Sequence, residues 1–310
     1  MKRVLLTGAS GFIGMPCIMP LLARGYEVHA VSASARHSSD VVWHQADLLD
    51  AAQVAALLER VRPTHLLHLA WDVTPGTYWS SPGNWQWMDA SRTLLAAFGN
   101  NGGARAVLAG TCAEYDPLAG PSAGTCIEAA TPLAPTTVYG AAKAALSIML
   151  PTFAAQQGIG STAWARLFYL YGPREHPARL VPTVIQTLMD NHPMPCSHGE
   201  QVRDFLHVED VASALVALLD SPVTGAVNIA AGQPITLRAL LSAIGDQLGR
   251  AHLLQFGARP AGANEPPILT ADVTRLAREV GWTPAINLEA GLRQTIRWWQ
   301  QEREREAARG

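Results

Sequence analysis

The chain has 310 residues, 48% of them hydrophobic, a formal net charge of -2, and no block of like charge beyond the sign-alternating run Glu302-Arg303-Glu304-Arg305-Glu306. That composition excludes disorder and gives nucleic-acid binding no support, while the length allows one large domain or a domain with a smaller appendage. Cys17, Cys112, Cys126 and Cys196 lie far apart without CxxC or Cys/His spacing, so the expectation is reduced thiols, no metal and no disulfide. Met1-Lys2-Arg3 leads straight into a short apolar strand, and no apolar run approaches the roughly 18 residues of a membrane span, so a cytoplasmic protein that makes no membrane contact is expected.

Val4-Leu5-Leu6-Thr7 reads as a buried strand, Gly8-Ala9-Ser10-Gly11-Phe12-Ile13-Gly14 as a glycine loop, and the next apolar stretch as a helix to about Leu22. Strand, glycine loop and helix form a phosphate-binding unit, because glycines let the backbone approach a pyrophosphate and a helix N-terminus offers positive partial charge. The spacing is GxxGxxG, and Pro16 and Pro20 are a mild objection to the helix.

Strand two, Tyr26 to Val31, runs into Ser32-Ala33-Ser34-Ala35-Arg36, where an NAD-binding chain places an acid against the ribose 2'-hydroxyl. No acid is present. Ser32, Ser34 and Arg36 suit a 2'-phosphate instead, which favours NADP(H) over NAD(H). Strand three, Val41 to Leu48, brings Asp47 and Leu48 to the adenine end, and a helix from Ala51 to Arg60 leads to strand four, His65 to Ala70, which sets Leu69 and Ala70 beside the cofactor. His65 and His68 read as packed residues satisfied locally. The loop from Trp71 to Pro82 is rich in aromatic residues that either stack on a ligand or cover the core. A helix from Trp85 to Phe98 precedes strand five, Arg105 to Gly110, which delivers Thr111 to the same edge.

Tyr139 and Lys143 stand four residues apart at the start of a helix, and so share a face. A phenol normally ionises near pH ~10, and a neighbouring ammonium should bring it toward the working range as a general acid or base. Strand Thr162 to Phe168, a helix at Leu180 to Met189, another ending at Leu219, and a strand at Val227 to Ala230 follow. The alternation predicts an α/β fold of Rossmann type: a doubly wound parallel sheet with a smaller C-terminal substrate-binding lobe. Residues 1–170 form the nucleotide-binding domain, and 171–310 supply mostly the lobe, with segments returning to the core.

Thr7-Gly8-Ala9-Ser10-Gly11-Phe12-Ile13-Gly14, His68-Leu69-Ala70, Thr111, Tyr139-x-x-x-Lys143, Tyr171-Gly172-Pro173-Arg174, Gln201-x-Arg203-Asp204-Phe205-x-x-Val208-x-Asp210 and Gly281-Trp282-Thr283-Pro284 together resemble the extended short-chain dehydrogenase/reductase family, in its branch of nucleotide-sugar epimerases and dehydratases. The resemblance implies Tyr139 as acid/base, Lys143 as a second contact to the nicotinamide ribose, and Thr111 as the group that orients the substrate oxygen. Gly8, Gly11, Phe12, Ile13 and Gly14 would then hold the cofactor. It also implies Arg203 as a contact to the substrate's diphosphate, with an ion pair to Asp204 or Asp210 as the alternative, and Arg259 as a second phosphate contact. Trp71 and Tyr169 would face the sugar. Family members often carry asparagine where Tyr169 and Trp87 stand, and they often form homodimers through the helices matching Trp85 to Phe98 and Tyr139 to Ala155.

The segment Ser197 to Phe205 with Gln255-Phe256-Gly257-Ala258 looks closest to reductases of nucleotide 4-keto-deoxyhexoses such as CDP-abequose synthase. The implied activity is NADP(H)-dependent reduction of such a keto sugar; an epimerase is the alternative, and a non-catalytic nucleotide-binding protein is disfavoured by the intact Thr111, Tyr139 and Lys143. Dehydratases of the family place Asp-Glu directly after the threonine, where Cys112 and Ala113 stand here. Glu114 is expected to miss the site, being one position further along a strand end whose side chains alternate.

Overall fold

A computed structural model describes residues 2–122, 124–262 and 265–308. The N-terminal half alternates strand and helix: β1 (Arg3–Thr7), α1 (Gly14–Ala23), β2 (Glu27–Ser32), β3 (Val42–Gln45), α2 (Ala51–Val61), β4 (His65–His68), α3 (Gly83–Asn100) and β5 (Arg105–Thr111). After a short β6 (Thr125–Cys126) come α4 (Val138–Gln156), β7 (Ser161–Leu167), β8 (Tyr169–Tyr171), α5 (Leu180–Met189), β9 (Met194–Pro195) and β10 (Val202–His207). The chain ends with α6 (Val208–Asp220), β11 (Gly225–Ile229), β12 (Pro234–Thr236), α7 (Leu237–Leu248), β13 (Leu254–Gln255), β14 (Ile268–Ala271), α8 (Thr274–Arg278) and α9 (Leu288–Ala307).

Seven strands form one parallel sheet in the order β3-β2-β1-β4-β5-β7-β11, the doubly wound arrangement expected from the alternation. Side chains of β1 explain the layering. Val4 and Leu6 point to the face covered by α1 and α6, whereas Leu5 points to the face covered by α2, α3 and α4. Pro16 lies in the first turn of α1, where its missing N–H costs nothing, and Pro20 is accommodated inside the helix.

The last strand of the main sheet, β11, comes from residues 225–229, so the chain leaves the sheet after β7 and returns to it. Between these crossings β10 pairs with β8, β12 and β14, and β14 pairs with β6. A separate apolar cluster, with Val184, Ile185 and Leu188 of α5, Leu240 and Ile244 of α7 and Leu292 and Ile296 of α9, packs this second layer.

One expectation needs correction. By length and composition α4, 19 residues with a mean hydropathy of 1.3 over its window, is apolar enough to cross a membrane. Its position explains that composition: Leu146 and Leu150 fill the core beside α3 and the sheet, and small alanines let the helix lie close to its neighbours.

Candidate active site

The strand ends Thr7, Ser32, His68 and Thr111 line one edge of the sheet. At β1, Gly8 adopts φ +65°, and a Cβ there would lie 2.8 Å from the Ala70 nitrogen and 2.9 Å from the Leu69 carbonyl carbon. Glycine is therefore required for the loop to rest on the end of β4. A Cβ at Gly14 would run into the Gly8 carbonyl oxygen, so the loop also packs directly on the start of α1. The Thr7 hydroxyl accepts from the Leu69 and Ala70 amides at 3.1 and 3.3 Å and bonds His68 Nδ1 at 2.7 Å. His68 is thereby used up locally, with Nε2 2.9 Å from the Ser91 hydroxyl and burial holding its pKa down at about 3. This bare cradle, with Phe12 and Ile13 between its glycines and a helix N-terminus behind it, fits a dinucleotide pyrophosphate.

Beyond β2, Ser32 is buried and its Oγ accepts from the Ser34 amide at 3.3 Å. The exposed Arg36 guanidinium lies 5.7 Å from the Trp43 ring centroid, outside any ion pair among the described residues. Asp47 is exposed and accepts from the Leu49 amide at 2.9 Å, while Leu48 and Leu49 line a cavity of about 280 Å³ with Gln86, Ala90 and Thr93 of α3.

Thr111, Tyr139 and Lys143 are all buried at this edge. Thr137 caps α4 by accepting from the Gly140 amide at 3.0 Å, which starts the helix so that Tyr139 occupies its first turn and Lys143 the next. Gly140 allows the approach: a Cβ there would lie 2.5 Å from the Ala113 carbonyl oxygen. Three rings enclose the phenol edge-on, with centroids 5.0 Å (Tyr78), 5.7 Å (Trp79) and 6.4 Å (Trp71) from that of Tyr139. The aromatic loop thus stands over Tyr139, while its Trp71 also packs against the core.

Burial pushes the Tyr139 phenol above its ordinary range, with the Thr111 hydroxyl pulling the other way. This corrects the expectation that Lys143 lowers it. The Lys143 ammonium donates to the Ala109 carbonyl at 2.7 Å and lies 3.7 Å from the Trp71 ring centroid, and its own pKa is brought down to about 7 by burial. Tyr139 is consequently held as a neutral phenol, the form that donates a proton.

After Thr111 the chain forms a single 3₁₀ turn, Cys112–Glu114, where a strand end was expected. Glu114 folds back into the interior and is fully buried, accepting from the Thr111 amide at 2.8 Å, from Trp164 Nε1 at 3.0 Å and from Arg166 Nε at 2.8 Å. Its place behind the site was missed because strand alternation was assumed. Burial holds the thiol of Cys112 up at about 12, which leaves it no acid/base role.

Arg203 is fully buried and pairs neither with Asp204 nor with Asp210: Asp204 accepts from the amides of Ala231 and Gly232, and Asp210 from those of Ala285 and Ile286. Its partner is Glu265, at 2.8 Å, and its guanidinium lies 5.4 Å from the Tyr169 ring centroid. Its Nε has no hydrogen-bond partner among the described residues. Glu265 and Arg259 belong to a cavity of about 260 Å³ whose wall also includes Cys196, Gln201 and Leu241. Arg203 therefore bridges this cavity and Tyr169. No cluster of metal-ligating side chains occurs among the described residues.

The chain is similar to known proteins in sequence and in fold. Residues 4–230 match the family described as the NAD dependent epimerase/dehydratase family. UDP-glucuronic acid decarboxylase 1 of Xenopus tropicalis is 28% identical over 316 aligned residues, taking in 99% of this chain and 74% of the relative. UDP-glucose 4-epimerase of Corynebacterium glutamicum is 27% identical, covering 91% of each chain. Among solved structures, UDP-glucose 4-epimerase of Thermus thermophilus in complex with NAD superposes with a TM-score of 0.83 at 26% identity, covering 96% of this chain and 99% of that one.

Proposed function

The chain belongs to the NAD-dependent epimerase/dehydratase family, and from that premise we propose that it is an NADP(H)-dependent reductase of a nucleotide-activated 4-keto-deoxyhexose. The observation that carries this reading is the gathering of Thr111, Tyr139 and Lys143 at one sheet edge with no acid–base pair directly after the threonine, where Cys112 and Ala113 stand and Glu114 is turned into the interior. Reduction requires a proton donor beside the carbonyl oxygen and a substrate held in one orientation. Epimerisation uses the same three groups and requires the keto sugar to turn over so that hydride returns to its other face; the absence of an acid after β2, with Arg36 beside it, suits an NADP(H) that is consumed and so favours reduction.

Gly8, Gly11, Phe12, Ile13 and Gly14 would hold the cofactor's pyrophosphate, Asp47, Leu48, Leu69 and Ala70 would flank its adenosine and nicotinamide halves, and Ser32 with Arg36 would bind its 2'-phosphate. When bound, the reduced nicotinamide supplies the hydride. Tyr139 protonates the substrate oxygen, Thr111 orients that oxygen, and Lys143 provides positive charge next to the phenolate left behind. Arg259, which lines the cavity with Glu265, and Arg203, buried behind Glu265, suit the diphosphate of the sugar nucleotide, and Trp71 and Tyr169 the sugar. Pairing of two copies would use the exposed faces of α3 and α4, where Trp85 and Ile148 are apolar and exposed.

Epimerase is the second reading, favoured by the Corynebacterium relative. An assay with a panel of nucleotide 4-keto-deoxyhexoses and NADPH separates the two. A reductase consumes one NADPH per product formed, so nicotinamide absorbance falls in step with product. Interconversion of two sugars with no net change in absorbance would overturn the proposal.

A further inference from the structure

Behind the acid–base site lies a buried polar cluster that the proposed chemistry does not use directly. Glu114 sits at its centre with no exposed surface. Every hydrogen bond to its carboxyl group is donated by a neighbour: the Thr111 amide, Trp164 Nε1 to both oxygens at 3.0 and 3.1 Å, and Arg166 Nε. A protonated carboxyl would need an acceptor for its own proton, and none is present among these partners, so the group is a carboxylate despite its burial. Arg166 is fixed in turn, donating to the Tyr115 hydroxyl at 2.9 Å, and that hydroxyl donates to Asn228 Oδ1 at 2.8 Å. Gly110 leaves the required space, since a Cβ there would meet Trp164 Nε1 and the Glu114 carboxylate.

This cluster reaches the site in two ways. Glu114 and Thr111 form a reciprocal cap of the 3₁₀ turn: the carboxylate takes the Thr111 amide, and the Thr111 hydroxyl takes the Ala113 amide at 3.2 Å. The hydroxyl that stands by Tyr139 is thereby locked. Lys143 Nζ also lies 5.9 Å from the ring centroid of Trp164, the indole that donates to Glu114, so the carboxylate stands across that ring from the ammonium and favours it against its burial. Among the described residues the other groups facing Lys143 carry no negative charge: the neutral His68 on β4, the Ala109 carbonyl on β5, the rings of Trp71 and Trp164, and the neutral Tyr139 on its own helix.

We infer that Glu114 is a positioning residue of the site, fixing Thr111 through the 3₁₀ turn and placing a carboxylate behind Lys143 across the Trp164 indole. The inference rests on Tyr139 and Lys143 as the acid–base pair, and its test needs no substrate. Lys2 and Lys143 are the only lysines in the chain. Protein labelled with ¹³C and ¹⁵N at lysine therefore gives two side-chain signals, and Lys143 can be titrated by NMR without ambiguity.

In the wild type Lys143 should titrate near pH 7. In Glu114→Gln its midpoint should fall by roughly one pH unit, as expected for loss of a nearby opposite charge. In Glu114→Asp, which keeps the charge, the midpoint should stay near the wild-type value. An unmoved midpoint in a folded Gln variant overturns the inference, as does an equal fall in the Asp variant, which would mark a packing effect. Should Glu114→Gln alone fail to fold, the double variant Glu114→Gln/Arg166→Gln is compared with Arg166→Gln, so that only the carboxylate differs between the two, and a Lys143 midpoint equal in both overturns it. A failed reductase assay alongside a shifted midpoint would count against the proposed reaction and leave the role of Glu114 supported.

Discussion

The Lys143 ammonium is held between the Ala109 carbonyl, 2.7 Å away, and the face of Trp71, 3.7 Å from the ring centroid. Trp71 is itself anchored, its Nε1 donating to Asn84 Oδ1 at 2.8 Å. If Lys143 is to bond a nicotinamide ribose, the indole has to move aside, and a cation–π contact worth about 0.5 to 2 kcal/mol is lost. Trp71→Ala should then tighten NADPH binding by roughly 2- to 30-fold. Calorimetric titration of both proteins checks this, and weaker binding by the variant would identify the indole as part of the cofactor platform.

Tyr139→Phe should retain fold and cofactor binding while turnover falls by about 100-fold or more, the usual worth of a positioned proton donor. The pH profile adds a signed expectation. Lys143 titrates near 7, so its charge is present below that pH and is lost as pH rises through it. Turnover of the wild type should therefore decline above about pH 7. A rate that is flat to pH 9 would mean that the ammonium is not needed.

Arg36→Ala tests the cofactor preference. A charge-assisted contact to a 2'-phosphate is worth roughly 1.5 to 3 kcal/mol, so NADPH affinity should drop by about 10- to 150-fold with NADH nearly unchanged. Equal losses for both cofactors would remove the argument for NADP(H).

The main sheet was legible because most of its strands are apolar runs, with Thr7, Ser32 and Thr111 marking the ends of β1, β2 and β5, and the predicted spans of α2 and α5 match the observed ones closely. Tyr139 and Lys143 could be placed together from helical spacing alone. What the sequence did not carry was anything set by contacts distant along the chain. Glu265 is 62 residues from Arg203, and Asp204 and Asp210 were nearer candidates by sequence. Trp71 over Lys143 and Glu114 against Arg166 likewise join segments far apart in sequence, and burial at these contacts decides the charge states that local spacing suggested otherwise.

Glu175 offers a test of the fold's own electrostatics. It is buried just after the Tyr171-Gly172-Pro173-Arg174 turn, its Oε2 has no partner among the described residues, and burial raises its pKa to about 8 against some help from Arg179. A carboxyl whose folded pKa lies above its unfolded value leaves stability intact below the unfolded value of 4.5 and erodes it as pH climbs toward about 8, because the unfolded chain releases the proton first. Each unit of that difference is worth about 1.4 kcal/mol, so the loss across the window is on the order of a few kcal/mol. Glu175→Gln cannot ionise and should escape it. Denaturant unfolding at pH 5 should show the variant within about 1 kcal/mol of the wild type, whereas at pH 8.5 it should be more stable by roughly 2 to 4 kcal/mol. The same difference at both pH values would show that Glu175 ionises normally in the folded protein.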